Sequence, residues 1–300
     1  MSLEIIGGLL ENIFEEGLIY GIMAIGVYIT YSILDFPDLT VDGSFPLGGC
    51  VAAAMIGAGA NPLLACLAAL LCGMAAGCIT GLLHVKCKIT DLLSGILTMT
   101  ALWSVNLVVT GGKSVLPFYD LPTIFNSGLA ALLPEGLYAH RVVIIGAVCV
   151  IAVKLIVDLY LKTKSGLLLR AVGDNQSFVT SLGKDQGNRK ILGLALGNGL
   201  VSLSGCVLAQ QAESANITSG TGMVVMALAS VIIGRTIFGR LRIMKSTTSA
   251  VIGACIYKAC LAIAMQLGLP TNYLKLLMAA IFTAVLVSNN LGRKKHAEIR

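Results

Sequence analysis

Nine apolar stretches, each long enough to cross a lipid bilayer or nearly so, leave this chain little choice of fold. They fall at about residues 17–34, 44–60, 62–83, 89–111, 140–161, 190–211, 222–238, 246–268 and 272–289. A hydrocarbon core about 30 Å thick is crossed by roughly 20 residues of helix. No water reaches backbone N–H and C=O groups there, so each stretch is helical or, where Gly or Pro breaks it, buried against protein. The 300 residues are therefore read as one transmembrane domain, residues 1–300, an all-α polytopic bundle of about nine spans. Composition agrees, with 56% hydrophobic and 12% charged residues, against about 45–50% and about 25% in soluble domains.

The formal charge of +6 lies between apolar runs and not along a polar surface. Membrane topology accounts for it, and nucleic acid does not. Lys86 and Lys88, the group from Lys162 to Lys190, the group from Arg235 to Lys245, and the C-terminal Arg293, Lys294, Lys295 and Arg300 hold sixteen of the twenty-one Lys and Arg. Alternating spans put all four groups on one side, which the positive-inside tendency makes the cytoplasm. The C-terminus is expected there. The N-terminus, with Glu4, Glu11, Glu15 and Glu16 and no basic residue, is expected outside and lacks the basic region of a cleavable signal.

Three polar features stand out. The loop 162–190 is longer than a connection needs and carries a short apolar-faced helix, as expected of a cytoplasmic coupling loop on which another protein docks. The segment Asp35-Phe-Pro-Asp-Leu-Thr-Val-Asp-Gly-Ser-Phe-Pro46 sets three carboxylates and two prolines between the first two spans. One reading is a capped helix start, since Asp and Ser oxygens accept free N–H groups there. The other is a broken or re-entrant helix lining a transport path. The fourth span carries Ser94, Thr98, Thr100, Ser104 and Asn106, read either as hydroxyls bonding back to their own helix or as a polar lining.

Ionisable groups inside spans are costly and mark function or a partner. Lys154 and Asp158, four apart, neutralise each other on one helix face, whereas Lys258 has no local carboxylate. Gln210, Gln211, Glu213, Ser214, Asn216, Thr218 and Ser219 gather at the outer end of the sixth span. Small residues at every fourth position, Ala65, Ala69, Gly73, Gly77 and Gly81, predict close helix packing.

No catalytic constellation is present. The nine Cys form no CxxC pair and lie in apolar runs as small hydrophobes. His84, His140 and His296 lack metal-ligand spacing. Gly234-Arg-Thr-Ile-Phe-Gly-Arg-Leu241 has Arg and Leu where a phosphate loop needs Lys and a hydroxyl, and Gly112-Lys-Ser114 lacks the first glycine. The chain is read as no enzyme, with no metal and no cofactor.

The run Gly21 to Phe45, the loop Gly166-Leu-Leu-Leu-Arg-Ala-Val-Gly-Asp-Asn175 and the run Ala227 to Gly234 resemble permease subunits of bacterial ABC importers of the branched-chain amino acid and ribose type, over about residues 15–292. The first run is most similar to a sub-branch associated with tryptophan or tyrosine uptake. Phe36-Pro-Asp-Leu-Thr-Val-Asp42 replaces a Gly-rich version common among sugar permeases, which speaks against a sugar.

The resemblance implies a bacterial inner-membrane location, a second permease copy, a cytoplasmic ATP-binding subunit dimer and an extracytoplasmic solute-binding protein. It also implies that Arg170, Gly173, Asp174, Asn175, Phe178, Val179, Leu182 and Gly183 form the ATPase-coupling segment, with Phe178, Val179 and Leu182 as its apolar face. The residues expected along a substrate pathway are Asp38, Thr40, Asp42, Ser94, Thr98, Gln210 and Glu213. The function expected is import of an amino acid or similar small solute. The rival is an ion-gradient-driven transporter or channel, which would need paired intramembrane carboxylates.

Overall fold

The computed structural model describes residues 3–297 apart from 129, 131–133, 182, 184, 239–243, 269 and 271–272. Eleven α-helices are described. They are α1 (Leu3–Val27), α2 (Val41–Gly57), α3 (Pro62–Val85), α4 (Asp91–Val109), α5 (Arg141–Tyr160), α6 (Lys164–Asp174), α7 (Gln176–Ser181), α8 (Gln186–Gln211), α9 (Met223–Phe238), α10 (Ser246–Gln266) and α11 (Leu274–Ala297). Two three-residue strands, β1 (Val115–Pro117) and β2 (Ser214–Asn216), pair antiparallel with Leu116 opposite Ala215.

Among the described residues seven helices are long and apolar enough to cross a membrane. Val41–Gly57 and Leu274–Val287 are the two shorter apolar ones, so each of the nine expected stretches is a helix. The protein is a multi-pass membrane protein. The first helix begins at Leu3, well before the expected residue 17. Glu is a good helix former and no Pro precedes residue 17, so the acidic segment ends the apolar run without ending the helix, which also runs through Gly7 and Gly8.

Local signals set several boundaries. Asn61 accepts the Leu63 amide at 2.9 Å with Pro62 in the first turn, starting α3. Asp185 accepts the Gly187 amide at 2.8 Å, starting α8. The end of α1 widens into a π-helical segment, Tyr28–Ile33, and Asp35 then turns the chain with φ at 53°.

Helix α2 is the axis of the bundle, buried along nearly its whole length among α3, α4, α8 and α9. Close approach requires glycine at its contacts. A Cβ added at Gly48 would lie 1.7 Å from the Ser202 carbonyl oxygen. The small face of α3 packs on α8 in the same way: a Cβ at Gly77 would lie 2.2 Å from the Leu194 oxygen. The opposite face of α3 turns Leu63, Leu64, Leu67 and Leu71 outward, as a lipid-facing surface should. Lys258, which has no carboxylate near it in the sequence, pairs with Glu16 of the neighbouring helix α1.

Candidate functional site

The segment between α1 and α2 folds back into the bundle. Asn198, midway along α8, donates its Nδ2 to the Asp38 carboxylate at 2.6 Å and accepts the Ser44 hydroxyl at 2.7 Å. The chain break therefore lies near the middle of α8's length, as a discontinuous helix. Asp38 also accepts the Thr40 amide at 2.9 Å, and Thr40 and Thr80 share a hydrogen bond of 2.8 Å. Asp38, Thr40, Ser44, Thr80 and Asn198 are all buried. Among the described residues no Lys, Arg or His pairs with Asp38, so neutral donors from Thr40 and Asn198 satisfy its carboxyl group. A carboxyl group buried at membrane depth without a cation is a mark of function.

Asp42, in the first turn of α2, serves a second helix. Its oxygens accept the Val224 amide at 2.8 Å and the Gly222 amide at 3.0 Å, capping α9 from another part of the chain. Gly222 itself has no side chain to do so. Two helix N-termini thus converge on one carboxylate, which their dipoles favour. The expected side-chain cap on the following helix is not formed, since α2 starts at Thr40 with no side-chain cap, and Asp42 caps α9 instead. Asp42→Ala removes an acceptor whose value is about 0.5–2 kcal/mol and is expected to lower the thermal midpoint by roughly 2–8 °C. Asp42→Asn keeps one acceptor and should lose less. An unchanged midpoint for the alanine variant would remove the capping role.

Helix α4 packs its small polar face on the break, with Gly95 against Leu39. Ser94 and Thr98 are buried and bond back to Asp91 and Ser94 oxygens at 2.8 and 3.0 Å. Asn106 reaches across to the Gly43 oxygen at 3.2 Å. A cavity of about 280 Å³ opens between α2, α4 and the 3-10 turn Ile217–Gly220, lined by Asp42, Trp103, Asn106 and Thr221 among others. Of the expected pathway residues, Asp42 lines this cavity, and Asp38, Thr40, Ser94 and Thr98 lie inside the bundle beside the break.

Gln210 and Glu213 lie elsewhere. Gln210 is buried, accepting the Ile124 amide at 3.0 Å and donating toward the Cys66 and Cys206 sulfurs at 3.2 and 3.4 Å. It ties α8 to α3 and to the 123–128 segment and is not part of an open mouth. Glu213, with φ at 49°, gives its carbonyl to the Phe118 amide and holds the turn before β2.

At the other end of the bundle, where α3, α5 and α9 finish and α8 and α10 begin, the loop 162–190 forms two short helices where one was expected. Helix α6 buries Gly166, Leu169 and Val172 and presents Arg170 and Asp174 outward, with Asn175 exposed after it. Gly173 presses on the Ile33 carbonyl, where an added Cβ would lie 1.6 Å away, and Gly183 has φ at 67°. Val179 corrects the expectation of an outward apolar face: α7 lies against α8 and Val179 is fully buried in this chain's own core. Leu182 and the side chain of Phe178 lie outside the described residues. Two grooves of about 260 and 250 Å³ share Tyr28, Arg170 and Ser246 beside this hairpin. Asp158 accepts Lys154 at 3.2 Å, as expected, and also Lys245 at 2.9 Å and Thr247 at 2.7 Å from α10.

Sequence reasoning missed Asn198 and Thr80, each a lone polar residue among apolar and glycine neighbours, and read Ser44 only as a helix-capping residue. Among the described residues no group of three His, Cys, Asp or Glu could hold a metal ion.

Residues 9–286 match the family described as branched-chain amino acid transport system / permease component. The tyrosine transport system permease protein of Clostridioides difficile (strain R20291) is 41% identical over 281 residues, covering 94% of this chain and 91% of that one. The ribose import permease protein RbsC of Escherichia coli (strain K12) is 30% identical over 290 residues, covering 93% of this chain and 85% of that one. No solved structure matches the chain at a significant level.

Proposed function

Because the chain belongs to the branched-chain amino acid transport system / permease component family, we propose that it is the membrane subunit of an ATP-driven importer for an aromatic amino acid, tyrosine in the first instance. ATP is hydrolysed on a separate cytoplasmic ATPase dimer, a second copy of this chain completes the path, and an extracytoplasmic binding protein delivers the solute. The basic end of the bundle faces the cytoplasm, which puts the C-terminus there too. The tyrosine transport permease named above supports the substrate, as does the acidic segment Asp35–Asp42, which bears no basic residue.

One observation carries the mechanism: the contact of Gly173 with the Ile33 carbonyl joins the α6–α7 hairpin to the broken helix. An ATPase moving against Arg170, Asp174 and Asn175 would push on the end of α1. From Ile33 the chain runs within a few residues to Asp38, whose bond to Asn198 holds the break at mid-depth. Docking at one end would thereby reach the centre of the path through packed backbone, by way of residues 33–38. Phe178 and Leu182 belong to the same proposed docking segment, as does Gly183 at its end.

The test is reconstitution of the chain with its ATPase and binding protein in liposomes. Tyrosine uptake should require ATP, and Arg170→Glu with Asp174→Arg should cut it about tenfold or more while leaving the permease folded, since a few interface residues carry most of a contact's energy. Uptake driven by an imposed proton or sodium gradient without ATP would replace this reading with that of a secondary transporter.

A further inference from the structure

The cavity walled by α2, α4 and the 3-10 turn has a polar lining in which acceptors outnumber donors, the donors being the Thr221 hydroxyl and the Trp103 indole N–H. Thr100 donates its hydroxyl to the Ile96 oxygen at 2.8 Å, which leaves lone pairs for anything else. Both Asp42 oxygens accept backbone amides and keep further lone pairs. Asn106 is fully buried, and its Nδ2 is committed to the Gly43 carbonyl. That bond fixes which end of the amide is oxygen. The oxygen, Oδ1, has no partner, and a buried acceptor without one calls for a donor. Pro46, Met99, Ile217 and Trp103 supply the apolar wall, and Trp103 is 47% exposed.

The geometry points to a subsite for a primary ammonium group carried on a small apolar or aromatic body, with the ammonium held by Asp42 and Asn106 Oδ1 and the body against Trp103. This rests on the importer reading and adds which end of the solute the membrane subunit recognises. An ammonium group donates three hydrogen bonds and accepts none, so it suits a wall of acceptors. Asp42 repels a carboxylate or phosphate in the same place. A cation near the Trp103 face gains from the ring's charge distribution. The volume of about 280 Å³ lies just under the range of about 300–1,000 Å³ common for drug-sized ligands, which suits a smaller solute.

Trp103 is the only tryptophan in the chain, so emission from the purified full-length protein reports on this cavity. Titration with L-tyrosine should shift that emission saturably. N-acetyl-L-tyrosine, which has lost the ammonium, should require about tenfold more or give no shift, the loss expected for hydrogen bonds to a charged group. Asn106→Leu should weaken the response to L-tyrosine about tenfold. Asp42→Asn, which keeps an acceptor for α9, should weaken it as well and serves if the leucine variant does not fold. Equal responses to the two ligands, or no saturable shift, overturn the subsite. ATP-driven tyrosine uptake by the assembled transporter is measured alongside. Uptake without an ammonium-selective response removes the subsite and leaves the importer reading. A selective response without ATP-driven uptake removes the importer reading and leaves a binding site that needs another role.

Discussion

Valine at Gly48 is expected to leave almost no folded protein in the membrane. Helix α2 is buried around Gly48, where it touches α8 backbone to backbone. An added Cβ would lie 1.7 Å from the Ser202 oxygen and 2.6 Å from its carbonyl carbon. No rotamer relieves a clash with a main-chain atom, so α2 and α8 would have to part. Overpacking a core with extra methyl groups costs about 1–3 kcal/mol where side chains can adjust. Separating two central helices exceeds that and consumes much of a total stability of about 5–15 kcal/mol. The contrast within the same helix is Gly57, exposed, with nothing within 4 Å of an added Cβ. Gly57→Val should extract and run on size exclusion like the parent, whereas Gly48→Val should be lost to aggregate or degradation. Equal yields of monodisperse protein from both would mean that α2 and α8 are not in contact as described.

Gly48 also marks where the sequence stops being legible. Apolar length alone foretold the helices, because a membrane admits few alternatives, and the four-residue spacing of Ala65, Ala69, Gly73 and Gly77 foretold a tight face. Which helix fills that face is a tertiary fact, and α8 answers it. The pair Lys154 and Asp158 could be read at spacing four, but Lys245 and Thr247 complete the cluster from α10, 87 and 89 residues beyond Asp158. The partner of Lys258 could not be read for the same reason, since Glu16 lies far off in the chain. Val179 misled differently. An apolar face in a polar loop shows that something covers it, and the sequence does not say whether that is a partner or the chain's own α8.

Asn198→Leu is the other substitution expected to be severe, although every local rule favours it. Leucine is the better helix former, is close to asparagine in shape, and is cheaper than an amide in hydrocarbon. The cost arises from what Asn198 leaves behind. Its Nδ2 holds Asp38 at 2.6 Å and its Oδ1 accepts from Ser44 at 2.7 Å. Removing it strips the buried Asp38 of the Asn198 amide and leaves Thr40 to hold the carboxyl group. Stranding one member of a buried polar pair costs about 1–3 kcal/mol, rising to about 3–5 kcal/mol where the stranded group is charged. The expected result is a large fall in thermal midpoint together with loss of transport. A double variant separates the two effects, since replacing both members of a buried pair by apolar groups can be nearly neutral. Asn198→Leu with Asp38→Leu should regain most of the stability. It should not regain transport if the break at Asp38 is part of the path, and restored transport in the double variant would reduce Asp38 and Asn198 to a structural clasp. An unchanged midpoint in Asn198→Leu alone would mean that the two side chains do not meet inside the bundle at all.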